Sequence, residues 1–288
     1  MVTKTTNTKR DIKGGRFLDK PSRISHYTSI GGLMGIIEEG CVWASNVSYL
    51  NDREELIHGL SGATKALERV TKDETYAKWV HSLRAVMKEI KAGKMPNTYA
   101  ACFCERSDVL SQWRAYGGSE QAIAISFDRA ELETLFSSQK AVLYPVVYGS
   151  LNANQQITEQ LRQNLDELTT FEFAAGDYTP AEKRKRVYRM LSRLLPQFKN
   201  IGFQDEREWR FVVQHETVRD LVCFHAVGNV VVPYIKLGPG KGSSLPIRSI
   251  RVGPGRDMDL TKRSVELYVA TKGYSDVKVY ITEVPFRV

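Results

Sequence analysis

Two stretches of this sequence carry residue types that could do chemistry. The first is Gln204-Asp205-Glu206-Arg207-Glu208-Trp209-Arg210-Phe211-Val212-Val213, a charged turn running into an apolar segment. That is the profile of a loop feeding a buried strand. Glu206 and Glu208 stand two residues apart, so on an extended backbone they point the same way. Adjacent carboxylates repel each other, and Arg207 and Arg210 are the local cations that keep them ionised. An ionised carboxylate in a dry site stabilises a developing positive charge, and one beside it can take a proton from a nucleophile. On spacing alone, a surface turn with ordinary salt bridges explains the stretch equally well. The second stretch, Ser25-His26-Tyr27-Thr28, lies far upstream.

The elements that must position these residues follow from periodicity and caps. Residues 24–28 are expected as a short strand, followed by a helix capped by Ser29, with Leu33, Ile36 and Ile37 on one face and its end at Gly40. Residues 42–48 are a strand. Asp52 caps a helix to Val70, and residues 76–91 form a second amphipathic helix that closes at Gly93. Residues 99–104 are a strand, with Cys102 and Cys104 assigned to opposite faces. A helical turn at 109–116 ends at Gly117-Gly118. The apolar run 122–127 suits a strand buried on both faces. Asp128 caps a helix to Phe136, and 142–148 is a further strand. Residues 152–175 and 180–197 read as two helices, with Pro180 in the first turn of the second. Strands at 206–213, 218–226, 230–237 and 247–252, a helix at 260–271 and a last strand at 277–283 complete an α+β chain. The helical pair, 152–197, interrupts it as an insertion.

Composition sets the outer bounds. The chain has 288 residues, 42% hydrophobic and 26% charged, which is ordinary for a globular protein with a sizeable core. No apolar run approaches the ~20 residues that span a bilayer. The first residues are polar and basic, without the apolar core of a secretory signal, so the expected compartment is the cytoplasm, with no membrane partner. The cysteines Cys41, Cys102, Cys104 and Cys223 include no Cys-x-x-Cys pair and the histidines are scattered, so no metal site is expected. Neither a Gly-x-x-x-x-Gly-Lys phosphate loop nor a Gly-x-Gly-x-x-Gly dinucleotide turn is present, and Gly238-Pro239-Gly240-Lys241-Gly242 reads as an ordinary turn.

The net charge of +8 points to polyanionic partners. Lys183, Arg184, Lys185, Arg186, Arg189 and Arg193 fall in one helical segment, and residues 1–21 form a basic tail expected to be disordered. The segment is a candidate nucleic-acid surface; a solvated helix face is the plainer alternative.

Four motifs carry a resemblance. Ser25-His26-Tyr27-Thr28, Tyr49-Leu50-Asn51-Asp52, Leu110-Ser111-Gln112-Trp113-Arg114-Ala115-Tyr116-Gly117 and Asp205-Glu206-Arg207-Glu208-Trp209-Arg210 resemble, in this order and over residues 24–255, a large bacterial family of unknown function. More distantly, the sequence is similar to the ADP-ribosyltransferase superfamily, in which a His on the first strand precedes a helix ending in glycine and a Glu stands just before a late strand. That resemblance implies a split-sheet α+β core in one domain, 22–288, with NAD as substrate. It implies a toxin or phage-defence enzyme, with an antitoxin protein as a partner to look for.

Breaking the nicotinamide–ribose bond builds positive charge on the sugar, as in glycoside chemistry. Within the resemblance, Glu208 would stabilise that cation and Glu206 would orient or deprotonate the acceptor. His26 would hold a ribose hydroxyl, and the backbone around Tyr27 and Thr28 would clamp the nicotinamide amide. Tyr49, Trp113 and Tyr116 compete to stack on the nicotinamide ring, and Asn51 lies in the same motif as Tyr49. Arg114 or Arg210 would meet the diphosphate. The superfamily's Ser-x-Ser strand motif is missing, and Ala100-Ala101-Cys102-Phe103-Cys104 stands where it would fall. The leading expectation is transfer of ADP-ribose to RNA or DNA. The alternatives are an NAD glycohydrolase and an inactive nucleic-acid-binding or regulatory module on the same fold. The enzymatic expectation requires His26, Tyr49, Glu208 and Trp113 or Tyr116 to meet in one cleft, with His26 and Glu208 on one face of the sheet.

Overall fold

The computed structural model describes residues 20–50, 53–92, 97–116, 121–149, 151–214 and 221–285. Asn51, Asp52, Gly93, Gly117, Gly118 and nearly all of the basic tail lie outside them. The chain begins β1 (Arg23–Ser29), α1 (Ile30–Glu39), β2 (Val42–Asn46), α2 (Arg53–Val70), α3 (Ala77–Lys91), β3 (Thr98–Cys104) and α4 (Leu110–Tyr116). It continues through β4 (Ala122–Asp128), α5 (Arg129–Ser137), β5 (Val142–Pro145), β6 (Val147–Gly149), α6 (Leu151–Ala175), α7 (Pro180–Leu194) and β7 (Phe198–Asn200). The last elements are β8 (Glu208–Gln214), β9 (Cys223–Val227), β10 (Val230–Leu237), β11 (Ile247–Val252), α8 (Met258–Thr271) and β12 (Lys278–Ile281).

The fold is mixed α+β, built on a mostly antiparallel sheet ordered β12-β11-β4-β1-β3-β2-β10-β9, with β8 on β3 and β5 on β8. The sheet forks at β3. One edge of β3 carries β8 from Thr98↔Gln214 to Cys104↔Glu208. Its other edge is shared: β2 pairs at Ser45↔Ala100 and Asn46↔Tyr99, and β1 pairs only at Ser25↔Cys104. Between these contacts β1 and β2 part, and from His26 onward that edge of β1 faces the opening.

Among the described residues, two large hydrophobic cores flank this sheet, and a smaller cluster gathers around Tyr27 and Trp113. The first lies beneath one face, where Leu33, Ile36 and Ile37 of α1, Leu132 and Phe136 of α5, and Val265 and Val269 of α8 cover Ile24, Phe103, Ile125 and Phe211. As expected for a strand enclosed on both faces, Ala122 to Phe127 of β4 are all buried. The second core is helical. Trp79, Leu83 and Val86 of α3 join Leu161 and Leu165 of α6, Val187 and Leu191 of α7, and residues of α2. The pair α6–α7 therefore completes a helical layer begun by α2 and α3, rather than standing alone.

Local chemistry explains the element ends. Ser29 Oγ accepts from Gly32 N–H at 3.2 Å, starting α1. Gly40 closes that helix at φ 58°, the left-handed region where a side chain is strained. A Cβ on Gly32 would lie 1.9 Å from Thr28 Oγ1, so glycine lets the helix start against its own strand. Thr179 and Glu182 form a capping box around Pro180 at the start of α7.

Some expectations need adjustment. The strand expected at 142–148 is broken into β5 and β6. The helix expected to reach 197 stops at Leu194, giving way to a 3-10 turn that contains Pro196, a residue without a backbone donor. Residues 201–206 form a 3-10 helix rather than an open turn, and β7 before it was not foreseen.

Candidate functional site

A cleft of about 470 Å³ opens at the fork of the sheet. Strand β1 contributes Ser25, His26, Tyr27 and Thr28, β3 contributes Cys102 and Cys104, and β8 contributes Glu208 and Arg210. Lys199 of β7 and Glu206 approach from the segment leading into β8, while Tyr116 also lines the cleft and Tyr49 and Trp43 are its exposed aromatic residues.

The floor is a buried ion network. Arg210 grips Glu208 with Nε to Oε1 at 2.7 Å and Nη2 to Oε2 at 2.9 Å, and its Nη1 donates to the Pro196 carbonyl at 2.9 Å. Lys199 Nζ donates to Glu208 Oε2 at 3.1 Å and to Glu206 Oε2 at 2.7 Å. All four side chains are buried. Burial pushes the Glu208 carboxyl up, but the Arg210 guanidinium and the Lys199 ammonium outweigh it and hold the pKa at about 2. Glu208 is thus ionised at neutral pH. Tyr148 Oη accepts the Glu208 backbone N–H at 2.7 Å and fixes the start of the strand.

This corrects the expected pairing. Arg207 adopts φ 44° and so points its side chain away from both carboxylates, to Glu105 at 3.5 Å. Glu206 ends the preceding 3-10 helix instead of sitting on the strand. The two carboxylates meet because Lys199 gathers them, not because an extended backbone aligns them. Lys199 gave a weak sequence signal, a single cation after the apolar run Leu194-Leu195-Pro196, and was missed. Cys102 and Cys104 also share the cleft face, since residues two apart on a strand point the same way. Burial, with Glu208 nearby, raises both thiols well above their ordinary range, so neither is a thiolate nucleophile.

His26 occupies the fork itself. Its Nδ1 lies 2.9 Å from the Cys102 carbonyl, which can only accept, so Nδ1 carries the proton. Burial lowers the pKa of the ring despite that bond, leaving a neutral imidazole whose Nε2 is an acceptor. By strand register, however, His26 pairs with Ile125 and packs on Phe103, 5.4 Å between ring centres, on the core face. Glu208, opposite Cys104, belongs to the other face. By pleat direction the one-face requirement is therefore not met, which counts against the enzymatic expectation, whereas the requirement of a shared cleft is met. His26 and Glu208 line the same cleft because the sheet is open between them.

The aromatic candidates separate. Trp113 is buried, packs edge-on against Tyr27 at 4.8 Å and donates its Nε1–H to Asp108 at 2.7 Å, so it is a core residue outside the cleft lining. Tyr116 stacks on Tyr27 at 6.3 Å and lines the cleft, and Tyr49 is 45% exposed at its rim. Tyr27 is anchored by its hydroxyl, which donates to the Arg106 carbonyl at 3.0 Å and accepts from Val109 N–H at 3.1 Å. Arg114 is exposed and not part of the lining.

The basic helix α7 lies away from the cleft and is largely engaged within the chain. Lys183 pairs with the buried Glu172 at 2.9 Å, Arg184 with Glu89 at 2.6 Å, and Arg186 sits 3.9 Å over the Tyr178 ring. Arg193 donates to Gln214 at 2.9 Å, and Lys185 and Arg189 also have interactions. Among the described residues no cluster of His, Cys, Asp and Glu could hold a metal ion, and no helix is long and apolar enough to cross a membrane.

A family model described as Protein of unknown function (DUF2971) matches residues 112–211, from within α4 to within β8. The match takes in the Glu208 motif and, from Gln112 on, that of Trp113, and leaves those of His26 and Tyr49 outside. No curated protein and no solved structure matches the chain.

Proposed function

We propose that the cleft binds NAD and that the protein is an ADP-ribosyltransferase that breaks the nicotinamide–ribose bond. One observation carries this reading: residues far apart in sequence, His26, Tyr49, Tyr116, Glu206 and Glu208, line a single cleft at a fork in the sheet. The chemistry of the lining fits the substrate. Glu208 is an ionised carboxylate sheltered from water, the group that favours a sugar cation in the transition state. The Nε2 lone pair of His26 can accept a ribose hydroxyl proton, and Tyr49 and Tyr116 offer ring faces. Arg210 is committed to Glu208 and the Pro196 carbonyl, so its expected part toward the diphosphate gives way to keeping Glu208 ionised. Nucleic acid remains the proposed acceptor on the ground of the +8 net charge, with less help from α7 than its sequence promised.

A second reading, a nucleotide-binding module that does not cleave, is favoured by the state of Glu208. A carboxylate has about four acceptor positions. Arg210 takes two and Lys199 one, and the Cys102 thiol bonds the same group. Catalysis therefore requires Lys199 or Cys102 to give way to the ribose.

Incubation with NAD labelled in its adenylate half, with separate RNA, DNA and protein pools, distinguishes the readings. Transfer predicts free nicotinamide and label in the nucleic-acid pool. Glu208→Gln is expected to slow nicotinamide release by about two to three orders of magnitude with NAD affinity little changed. NAD binding without nicotinamide release selects the second reading, and absence of NAD binding defeats both.

A further inference from the structure

One group of cleft residues is not used by this chemistry. At the rim on the β2 side, Trp43 stacks on Tyr234 with ring centres 4.2 Å apart and planes 26° apart, and His225 approaches Trp43 at 5.2 Å. The register explains the cluster: β10 pairs Tyr234 with Ser45 of β2 and with Cys223 of β9. Trp43 is 41% exposed, whereas Trp79, Trp113 and Trp209 are 3% or less. An indole with one face on a tyrosine and the rest open to a cleft is a stacking platform for another flat ring.

A second observation points to a ligand. The His225 Nε2 is buried and, among the described residues, has no hydrogen-bond partner. A buried polar atom without a partner carries a cost that folding alone does not recover. A turn of the His225 ring would offer this nitrogen to a ligand held against Trp43. Val227 and Val232 line the same side of the cleft and keep it apolar around the polar edge. The combination of an open aromatic face, an apolar border and one unpaired ring nitrogen matches a nucleobase: flat, stackable and polar at its edge.

We propose that Trp43, backed by Tyr234 and bordered by His225, is a nucleobase-binding subsite on the β2 side of the cleft. Base binding here stands whether or not NAD is cleaved, because it needs no turnover. The base has two sources, the adenosine end of a dinucleotide or a base of a nucleic-acid acceptor.

Tryptophan fluorescence tests this directly, since Trp43 is the one exposed tryptophan of the four. Titration with AMP is expected to quench the emission saturably, and Trp43→Phe is expected to abolish the quenching while keeping a ring at the site. By calorimetry, Trp43→Ala should weaken AMP binding about tenfold, the scale of one lost base stack. If AMP competes with NAD, the base is that of the dinucleotide. If a short single-stranded oligonucleotide still quenches at saturating NAD, it is that of the acceptor. Either result supports the subsite. Two results overturn it: no quenching by either probe, or quenching that persists in Trp43→Phe, which would place the base elsewhere. Loss of nicotinamide release with AMP quenching intact would count against the transferase reading alone.

Discussion

Two buried glutamates, Glu172 in the helical layer and Glu208 in the sheet, have nearly the same electrostatics and different surroundings. Each is less than 5% exposed and each is held at a pKa of about 2 by two cations, against the upward push of burial. Glu172 is met by Lys78 at 2.6 Å and Lys183 at 2.9 Å, whose side chains are 39% and 18% exposed, and it accepts the Tyr178 N–H. Those cations reach in from water, so the pair ties α3, α6 and α7 together at modest desolvation cost. Glu208 is met by Arg210 and Lys199, 3% and 8% exposed, beside an open cleft. Burying all partners is expensive and often stabilises no better than apolar packing. Under the proposed function, an ion network kept under that condition at a cavity wall serves a ligand rather than clamping the fold.

The comparison breaks most easily at the cations. Arg210→Met removes the fork from a wholly buried carboxylate and is expected to cost about 3–5 kcal/mol. Lys183→Met leaves Glu172 with the partly exposed Lys78 and the Tyr178 N–H, and is expected to cost less, about 1–2 kcal/mol. Urea unfolding of both variants measures the gap. Equal losses would mean that the two networks serve the fold alike.

Much of the contrast could not be seen in the sequence. Secondary structure was largely legible, because caps such as Ser29, Gly40 and Asp128 and the apolar periodicities are local. The residues of the cleft were legible wherever they lay in compact motifs, as with His26, Tyr49, Tyr116 and Glu208. What escaped depends on long-range pairing. Lys199 joins the site only because β7 brings it beneath β8, and Trp43 and His225 meet only across β2, β10 and β9. The fork itself is a tertiary event, and period-two reasoning could not foresee that residues on opposite pleat faces would line one cavity. Conversely, the most conspicuous signal, the basic run of α7, is spent largely on partners in its own layer.

Acid titration sharpens the comparison. Both folded carboxyls lie below the ordinary value of 4.5. Their stabilisation is therefore fully present above pH ~4.5 and is lost as pH falls toward ~2. For Glu208 the shift amounts to on the order of 3 kcal/mol. In Glu208→Gln the slope of unfolding free energy against pH should flatten in that window by up to about 1.4 kcal/mol per pH unit. Glu172→Gln should flatten it in the same window, with the partly exposed Lys78 making its slope respond more strongly to added salt. An unchanged slope in Glu208→Gln would show that the carboxyl is not held ionised by its partners.

The smallest expected effect concerns the charges that were most visible in the sequence. Neutralising Lys183, Arg184 and Arg186 together removes partners of Glu172, Glu89 and Tyr178. These cations must leave those partners before they can follow phosphates, so each is a poorer phosphate contact than a freely solvated one. If they do contact nucleic acid, the slope of log affinity against log salt should fall by about 0.7–0.9 for each phosphate lost. The structure leads us to expect a change of less than one such unit for the triple variant. A drop of two units or more would make α7 a phosphate-tracking surface and return the helical layer to the functional site. Filter binding of a labelled single strand from low to physiological salt decides it, with the Glu172 contact monitored by thermal unfolding of the same samples.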